Sequence, residues 1–369
     1  MKIDRRLFVN FDWILLFIVM AISGLGLLNL YSAGFNLAGG RGEPLYIKQI
    51  YWILMGLILM VAAFSIDYHI IIRHAYTIHA ISLFLLFLVF FVGNITHGSQ
   101  RWLVFYGFSF QPSELVKLTM IIALARFYKD NQIDEGYYLR NALILLFIIM
   151  VPFLMIMQQP DLGTSLFLAL LFFTLVFFMG IRRNIVISIA AVSSILAPLL
   201  WFIMKDYQRE RILSFLNPER DPLGSGYHII QSMIAIGSGG FFGKGYLKGT
   251  QTQLKFLPEQ QTDFVFSVFA EEWGFLGVFV LMFIFLSLIL WGFKIARNSR
   301  DLPGTLIAFG VTMFIFWEVF INIGMVLGLF PVVGIPLPFL SYGGSSMVIL
   351  LTGIGLLMNI SMRRFVLHP

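Results

Sequence analysis

Apolar segments about 20 residues long recur along this chain, and no other feature limits its possible folds as tightly. A helix rises 1.5 Å per residue, so about 20 apolar residues cross the roughly 30 Å hydrocarbon layer of a bilayer. Inside that layer only helices and closed barrels satisfy every backbone polar group. Ten such segments can be placed, at about 12–31, 47–65, 74–93, 113–129, 141–157, 163–181, 185–204, 273–293, 304–330 and 340–361. The reading is an all-α polytopic membrane protein of about ten transmembrane helices, with one large loop, about 205–272, between spans 7 and 8. Composition agrees. Of 369 residues, 59% are hydrophobic and 12% are charged, against about 25% charged in soluble domains, and the mean hydropathy is +0.88.

Basic residues orient the spans. With the N-terminus in the cytoplasm, one set of short segments carries Lys2, Arg5, Arg6, Arg73, Arg126, Lys129, Arg140, Arg182, Arg183, Lys294, Arg297, Arg300, Arg363 and Arg364. The opposite short loops carry only Arg41, Lys48 and Arg101. Fourteen against three puts both termini in the cytoplasm and the 205–272 loop outside. MKIDRRLF runs straight into a full-length span with no small-residue cleavage site, so the first helix is expected to be an uncleaved anchor. Cysteine is absent, which excludes disulfides and thiolate metal sites. The net charge of +6 sits largely in topology-setting loops and does not call for nucleic acid. No internal repeat is apparent, and the chain reads as one domain.

The chemistry-bearing residues cluster on the expected outer side. Asp263, in TDFVFSVF, is flanked by Phe264, Val265 and Phe266, where partial desolvation would raise its pKa and suit proton abstraction. The structural alternative is that Thr262 or Asp263 caps a helix starting at Phe264. Glu114 and Lys117, in FQPSELVKL, are i and i+3 on the fourth span and can pair, with Ser113 as the expected N-cap. Charges at that depth point to a functional or site-organising role. Asp161, in QQPDLGTS, fits a turn or cap. Glu318 lies mid-span, needs a partner or a proton, and reads as structural with Asn322 one turn on as its neighbour.

The long loop holds a polar, turn-rich stretch (DYQRERILSFLNPERDPLGSGY), an apolar YHIIQSMIAIG suited to the membrane surface, and a glycine-rich arm. Lys244, Lys248 and Lys255 on that arm suit a phosphate, although no P-loop pattern is present. The alternative is a flexible loop near anionic headgroups. Arg101 and Trp102 could hold a phosphate and a sugar face, or form part of an aromatic belt. The six histidines lack metal-ligand spacing, and no Ser–His–Asp arrangement appears. Together these residues fit an anionic, lipid-linked substrate handled at the outer surface.

The motifs narrow this further. GLLNLYSAG, RWL followed by FQPSELVKL, QQPDLGTSL, DPLGSGYHIIQSMIAIGSGGFFGKGYLKGTQ, FLPEQQTDFVFSVFAEEWGFLG and NIGMVLGLFPVVGIPLPFLSYGGSS occur in this order. In this the chain resembles the SEDS family (shape, elongation, division, sporulation) over essentially its whole length, and the elongation branch more than the division branch. The resemblance implies a peptidoglycan glycosyltransferase that polymerises lipid II on the outer leaflet beside a class B penicillin-binding protein. The family's essential aspartate falls on Asp263, its Glu and Lys pair on Glu114 and Lys117, and its further acidic position on Asp161. Family members often carry a histidine where Gln261 stands here. Asp263 would then be the general base, or would hold a divalent cation, Mg or Mn, at the pyrophosphate. A lipid II flippase and a non-catalytic scaffold for the transpeptidase are the rival readings.

Overall fold

The computed structural model describes residues 10–35, 45–96, 99–105, 108–131, 139–180, 206–217 and 224–364. Thirteen helices and three short strands lie among them. In chain order they are α1 (Trp13–Gly34), α2 (Leu45–Ser65), α3 (Tyr68–Arg73), α4 (Ala75–Val92), β1 (Asn94–Thr96), β2 (Ser99–Phe105), β3 (Phe108–Phe110), α5 (Pro112–Asp130), α6 (Leu139–Gln158) and α7 (Leu162–Phe178). There follow α8 (Asp206–Leu216), α9 (Ser225–Ser238), α10 (Thr250–Gln253), α11 (Val265–Arg297), α12 (Leu302–Val326) and α13 (Gly344–Arg363). Nine of the ten expected spans are helices, and the expected span at 185–204 lies outside the described residues. Among the described residues six helices are long and apolar enough to cross a membrane: α1, α2, α4, α11, α12 and α13.

The apolar faces divide into two environments. Every residue of α13 except Thr352 is buried, whereas α1, α2, α4 and α11 leave large side chains such as Phe17, Ile58, Phe91 and Phe283 exposed, as lipid-facing helices do. α13 packs along α2 at close range. A Cβ on Gly355 would lie 2.5 Å from the Met60 carbonyl oxygen, and one on Gly56 would lie 2.5 Å from Leu351. Small residues let helix backbones approach this closely where lipid supplies no hydrophobic drive.

Four aspartates sit at helix starts, where exposed N–H groups need acceptors. Asp12 caps α1 through Leu15 N, Asp67 caps α3 through His69 N, Asp161 caps α7 through Thr164 N, and Asp301 caps α12 through Gly304 N. Asp12 also accepts from Trp291 and Ser361, tying α1 to α11 and α13.

Several expectations change in detail. The stretch read as polar and turn-rich begins with the helix α8. Ser113 is not the cap of α5: Gln111 is the N-cap residue, and Pro112, whose missing N–H is no loss at a first helical position, starts the helix. An antiparallel sheet in the order β1-β2-β3 fills the connection between α4 and α5. The apolar α9, expected to suit the membrane surface, is also docked on the bundle. Ser232 binds Ser267 Oγ and the Val326 carbonyl, docking α9 on α11 and α12.

Candidate functional site

Asp263 lies in a turn immediately before α11 and is partly buried. The capping alternative is not realised. The N-cap residue is Phe264, without a side-chain cap bond, and the helix starts at Val265. Thr262 Oγ1 instead donates to Glu259. The Asp263 carboxylate lies beside the 327–343 connection: a Cβ on Gly334 would sit 3.5 Å from Asp263 Oδ2. Gln261, at the position where the resembling family often has histidine, donates its amide to the Ala33 carbonyl at 3.3 Å, and Gln260 donates to the same oxygen at 2.7 Å.

Glu114 and Lys117 pair as expected, at 2.7 Å. The sequence reading missed their third member. Lys117 Nζ also lies 2.9 Å from Glu318 Oε1 on α12, and it faces the rings of Phe167 at 4.8 Å and Phe314 at 5.2 Å. All three charged side chains are buried. Glu318 is therefore not the partner of Asn322, which donates to the carbonyls of Asp263 and Ile335. The signal was present as a mid-span carboxylate on one helix and a lysine on another. Their separation of 201 residues hid the match.

Arg101 and Asp161 are also brought together. Asp161 caps α7, and Arg101 NH1 lies 3.5 Å from its Oδ2. Arg101 further donates to the carbonyls of Gln159 and Pro160, clamping that turn to β2. Trp102 follows on β2, half-buried and opposite Asn94. The turn packs on the 327–343 connection, since a Cβ on Gly163 would lie 2.2 Å from the Val333 carbonyl oxygen. The start of α7, which Asp161 caps, and the Asp263 carboxylate thus border the same connection.

The glycines of the arm let its backbone approach a second backbone. α11 is broken at Gly274, which has φ +63, and the arm's backbone fills the break. Lys244 N and Gly245 N donate to the carbonyls of Glu271 and Glu272, while Phe275 N and Leu276 N donate to those of Gly240 and Phe241. A Cβ on Gly274 would lie 2.2 Å from Gly243 N. Only glycine combines this φ with so close an approach. Lys244 turns inward to Glu271 Oε1 at 2.7 Å and Thr250 Oγ1 at 2.7 Å. Glu271 also accepts from Gln251 N and from Thr252 N and Oγ1. Lys248 and Lys255 stay exposed.

Among the described residues no three histidine or acidic side chains converge as a metal site. A divalent cation at Asp263 would need substrate oxygens and water to fill its coordination shell. Mg²⁺ commonly binds in that manner, through one or two carboxylates plus phosphates.

The FtsW/RodA/SpoVE family model, described as "Cell cycle protein", matches residues 12–365. The chain is 42% identical over 358 residues to the "Peptidoglycan glycosyltransferase MrdB" of Escherichia coli (strain K12), covering 96% of this chain and 95% of that protein. A chain solved under the description "Structural coordination of polymerization and crosslinking by a peptidoglycan synthase complex" matches with TM-score 0.82 and 34% identity, over 96% of this chain and 98% of that one. The rod shape determining protein RodA of Thermus thermophilus matches with TM-score 0.71 and 30% identity, over 96% and 98% of the two chains.

Proposed function

This chain belongs to the FtsW/RodA/SpoVE family of cell cycle proteins, and from that premise we infer that it is a peptidoglycan glycosyltransferase of the RodA type, polymerising lipid II for cell elongation. The glycosyltransferase name of a relative 42% identical over nearly the whole chain supports the activity. The observation that carries the site is Asp263, a carboxylate just ahead of the N-cap residue Phe264 that lies beside Gly334 at the junction of α11, α12 and the 327–343 connection.

The reaction joins the 4-hydroxyl of an acceptor GlcNAc to C1 of a donor MurNAc. Asp263 takes the hydroxyl proton, the oxygen forms the bond to C1, and the bond from C1 to the lipid pyrophosphate breaks with its electron pair leaving on the phosphate. An α-linked donor giving a β-1,4 product requires inversion, so one displacement suffices. A base in hydrogen-bond reach of the nucleophile contributes about 10²–10⁴-fold. The leaving pyrophosphate needs positive charge. Lys117, Arg101 and Lys244 are engaged in ion pairs, which favours the exposed Lys248 and Lys255 for first contact. Trp102 suits a sugar face. In the alternative role Asp263 would, instead of taking the proton, hold a divalent cation, Mg or Mn, whose shell the substrate would complete and which would neutralise phosphate charge.

In this reading the Asp263 end of the bundle is extracytoplasmic, both termini are cytoplasmic, and a class B penicillin-binding protein is the membrane partner that cross-links the product. The solved peptidoglycan synthase complex, whose description couples polymerization with crosslinking, supports such a partner. The test supplies lipid II to the purified complex and resolves glycan chains on a gel, wild type against Asp263→Asn. Polymer from the wild type alone is expected. Polymer from both would remove Asp263 as the base. No polymer from either, with lipid II crossing vesicle membranes, would replace the transferase with a flippase.

A further inference from the structure

The turn that carries Asp263 is gripped from outside its own helix, one peptide after another. The Gln261 carbonyl accepts from Tyr342 N at 2.8 Å. The Thr262 carbonyl accepts from Ser341 Oγ at 2.7 Å. The Asp263 carbonyl accepts from Asn322 Nδ2 at 3.0 Å. Two residues on, the Val265 carbonyl accepts from Asn29 Nδ2 at 2.8 Å. Local capping would leave these oxygens to the helix or to water, whereas here α1, α12 and the 327–343 connection each take a share.

Asn322 bridges two of these segments. Its second N–H goes to the Ile335 carbonyl at 2.8 Å. Ile335 follows Gly334, whose φ of +71 favours glycine and beside which the Asp263 carboxylate lies, 3.5 Å from where a Cβ would stand. One amide therefore sets the spacing between the peptide of Asp263 and the peptide beside which its carboxylate rests. Asn322 is fully buried and its Oδ1 has no hydrogen-bond partner. A buried unpaired acceptor is destabilising, and the two bonds donated by Nδ2 are what this side chain supplies in return. A residue serving packing alone has no use for them.

We propose that Asn322, assisted by Ser341, is a positioning residue that fixes the Asp263 carboxylate against Gly334 for the transfer reaction. The inference rests on Asp263 being the base. Displacing a reacting group by about 1 Å can cost on the order of 10²-fold in rate. An interaction that orients the base without touching substrate lowers kcat and leaves KM nearly unchanged.

The experiment measures lipid II polymerisation kinetics of the complex with its class B partner for wild type, Asp263→Asn, Asn322→Ala, Asn322→Asp and Ser341→Ala, each below its thermal midpoint. Asn322→Asp keeps the volume and sets a carboxylate oxygen against two carbonyls. The expected result is a kcat loss of about 10²-fold for both Asn322 variants and about tenfold for Ser341→Ala, with KM within about threefold of wild type. A kcat within about threefold of wild type in Asn322→Ala, or a loss confined to KM, overturns the proposal. If Asn322→Ala does not accumulate, Ser341→Ala decides by the same criterion, since it removes one oxygen. Full activity in Asp263→Asn overturns the base assignment itself, an outcome separate from inert Asn322 variants beside a dead Asp263→Asn.

Discussion

Lys117 on α5 and Glu318 on α12 form an ion pair at 2.9 Å that is sealed inside the bundle. Glu114 shares the same ammonium at 2.7 Å, so two carboxyl groups face one cation. Lys117→Met leaves two acidic groups with no cation. Removing one partner of a buried pair costs about 3–5 kcal/mol, and that loss is expected here as a large drop in the thermal midpoint of the solubilised protein. Glu318→Gln keeps the shape and one charge pair, and should stay within about 1 kcal/mol of wild type. A Glu318→Gln protein as unstable as Lys117→Met would contradict this charge balance.

Asp263 and Asp161 should separate when stability and activity are both measured. Asp263 is not the N-cap residue of α11, and an amide keeps the shape of its side chain, so Asp263→Asn should abolish polymerisation with less than about 1 kcal/mol of destabilisation. Asp161 caps α7 and meets Arg101, so Asp161→Ala should cost about 0.5–2 kcal/mol from the cap. Matched thermal midpoints and gel assays distinguish the two. Equal destabilisation by both changes would mean that Asp263 also serves the fold.

The spans were legible because apolar length is a local property. Trp13–Gly34 and Leu302–Val326 lie within a few residues of where runs of apolar side chains placed them. The i, i+3 pairing of Glu114 with Lys117 is local too. Contacts between distant segments were not readable. Glu318 gave no sign of which helix held its cation. The glycines of the arm signalled close backbone approach, but the sequence could not say whether to a phosphate or to a second backbone, and the break at Gly274 supplies the second. The grip on residues 261–265 joins four segments and leaves no periodic trace.

The arm lysines offer a sharper contrast. Lys244 pairs inward with Glu271, a fully buried carboxylate. Lys244→Met should therefore cost about 1–3 kcal/mol of stability by leaving that charge short of a donor. Lys248→Ala and Lys255→Ala remove exposed charges and should leave stability within about 0.5 kcal/mol. If these two meet the pyrophosphate, the double variant should raise KM for lipid II several-fold, with an effect that shrinks as salt rises. A KM equal to wild type at low salt would remove them from the substrate path.

At the other end of the bundle, Asp67 gives the protein a defined acid response. Burial alone would raise its pKa, but hydrogen bonds from the His69 main chain and ring, with the Arg363 charge, outweigh burial and hold Asp67 below its ordinary value of 3.8. A group depressed on folding stabilises above its unfolded pKa, and that contribution is lost as pH falls through the lower folded value. Tyr68 beside it works in the opposite sense. Burial and its bond to Asp301 raise its pKa above the ordinary 10.0, so its contribution is present below that value and lost as pH rises past it. Asp67→Asn should therefore lower the thermal midpoint at pH 7 by on the order of 2 °C. The gap to wild type should begin to narrow as pH is taken below 3.8 and close once pH is below the depressed folded value, where Asp67 is neutral both folded and unfolded. Tyr68→Phe should show its change in pH dependence only above pH 10.0. Thermal scans from pH 3 to 11 measure both, and an Asp67→Asn gap of constant size across the acid range would show that the depressed carboxylate is not what stabilises this corner.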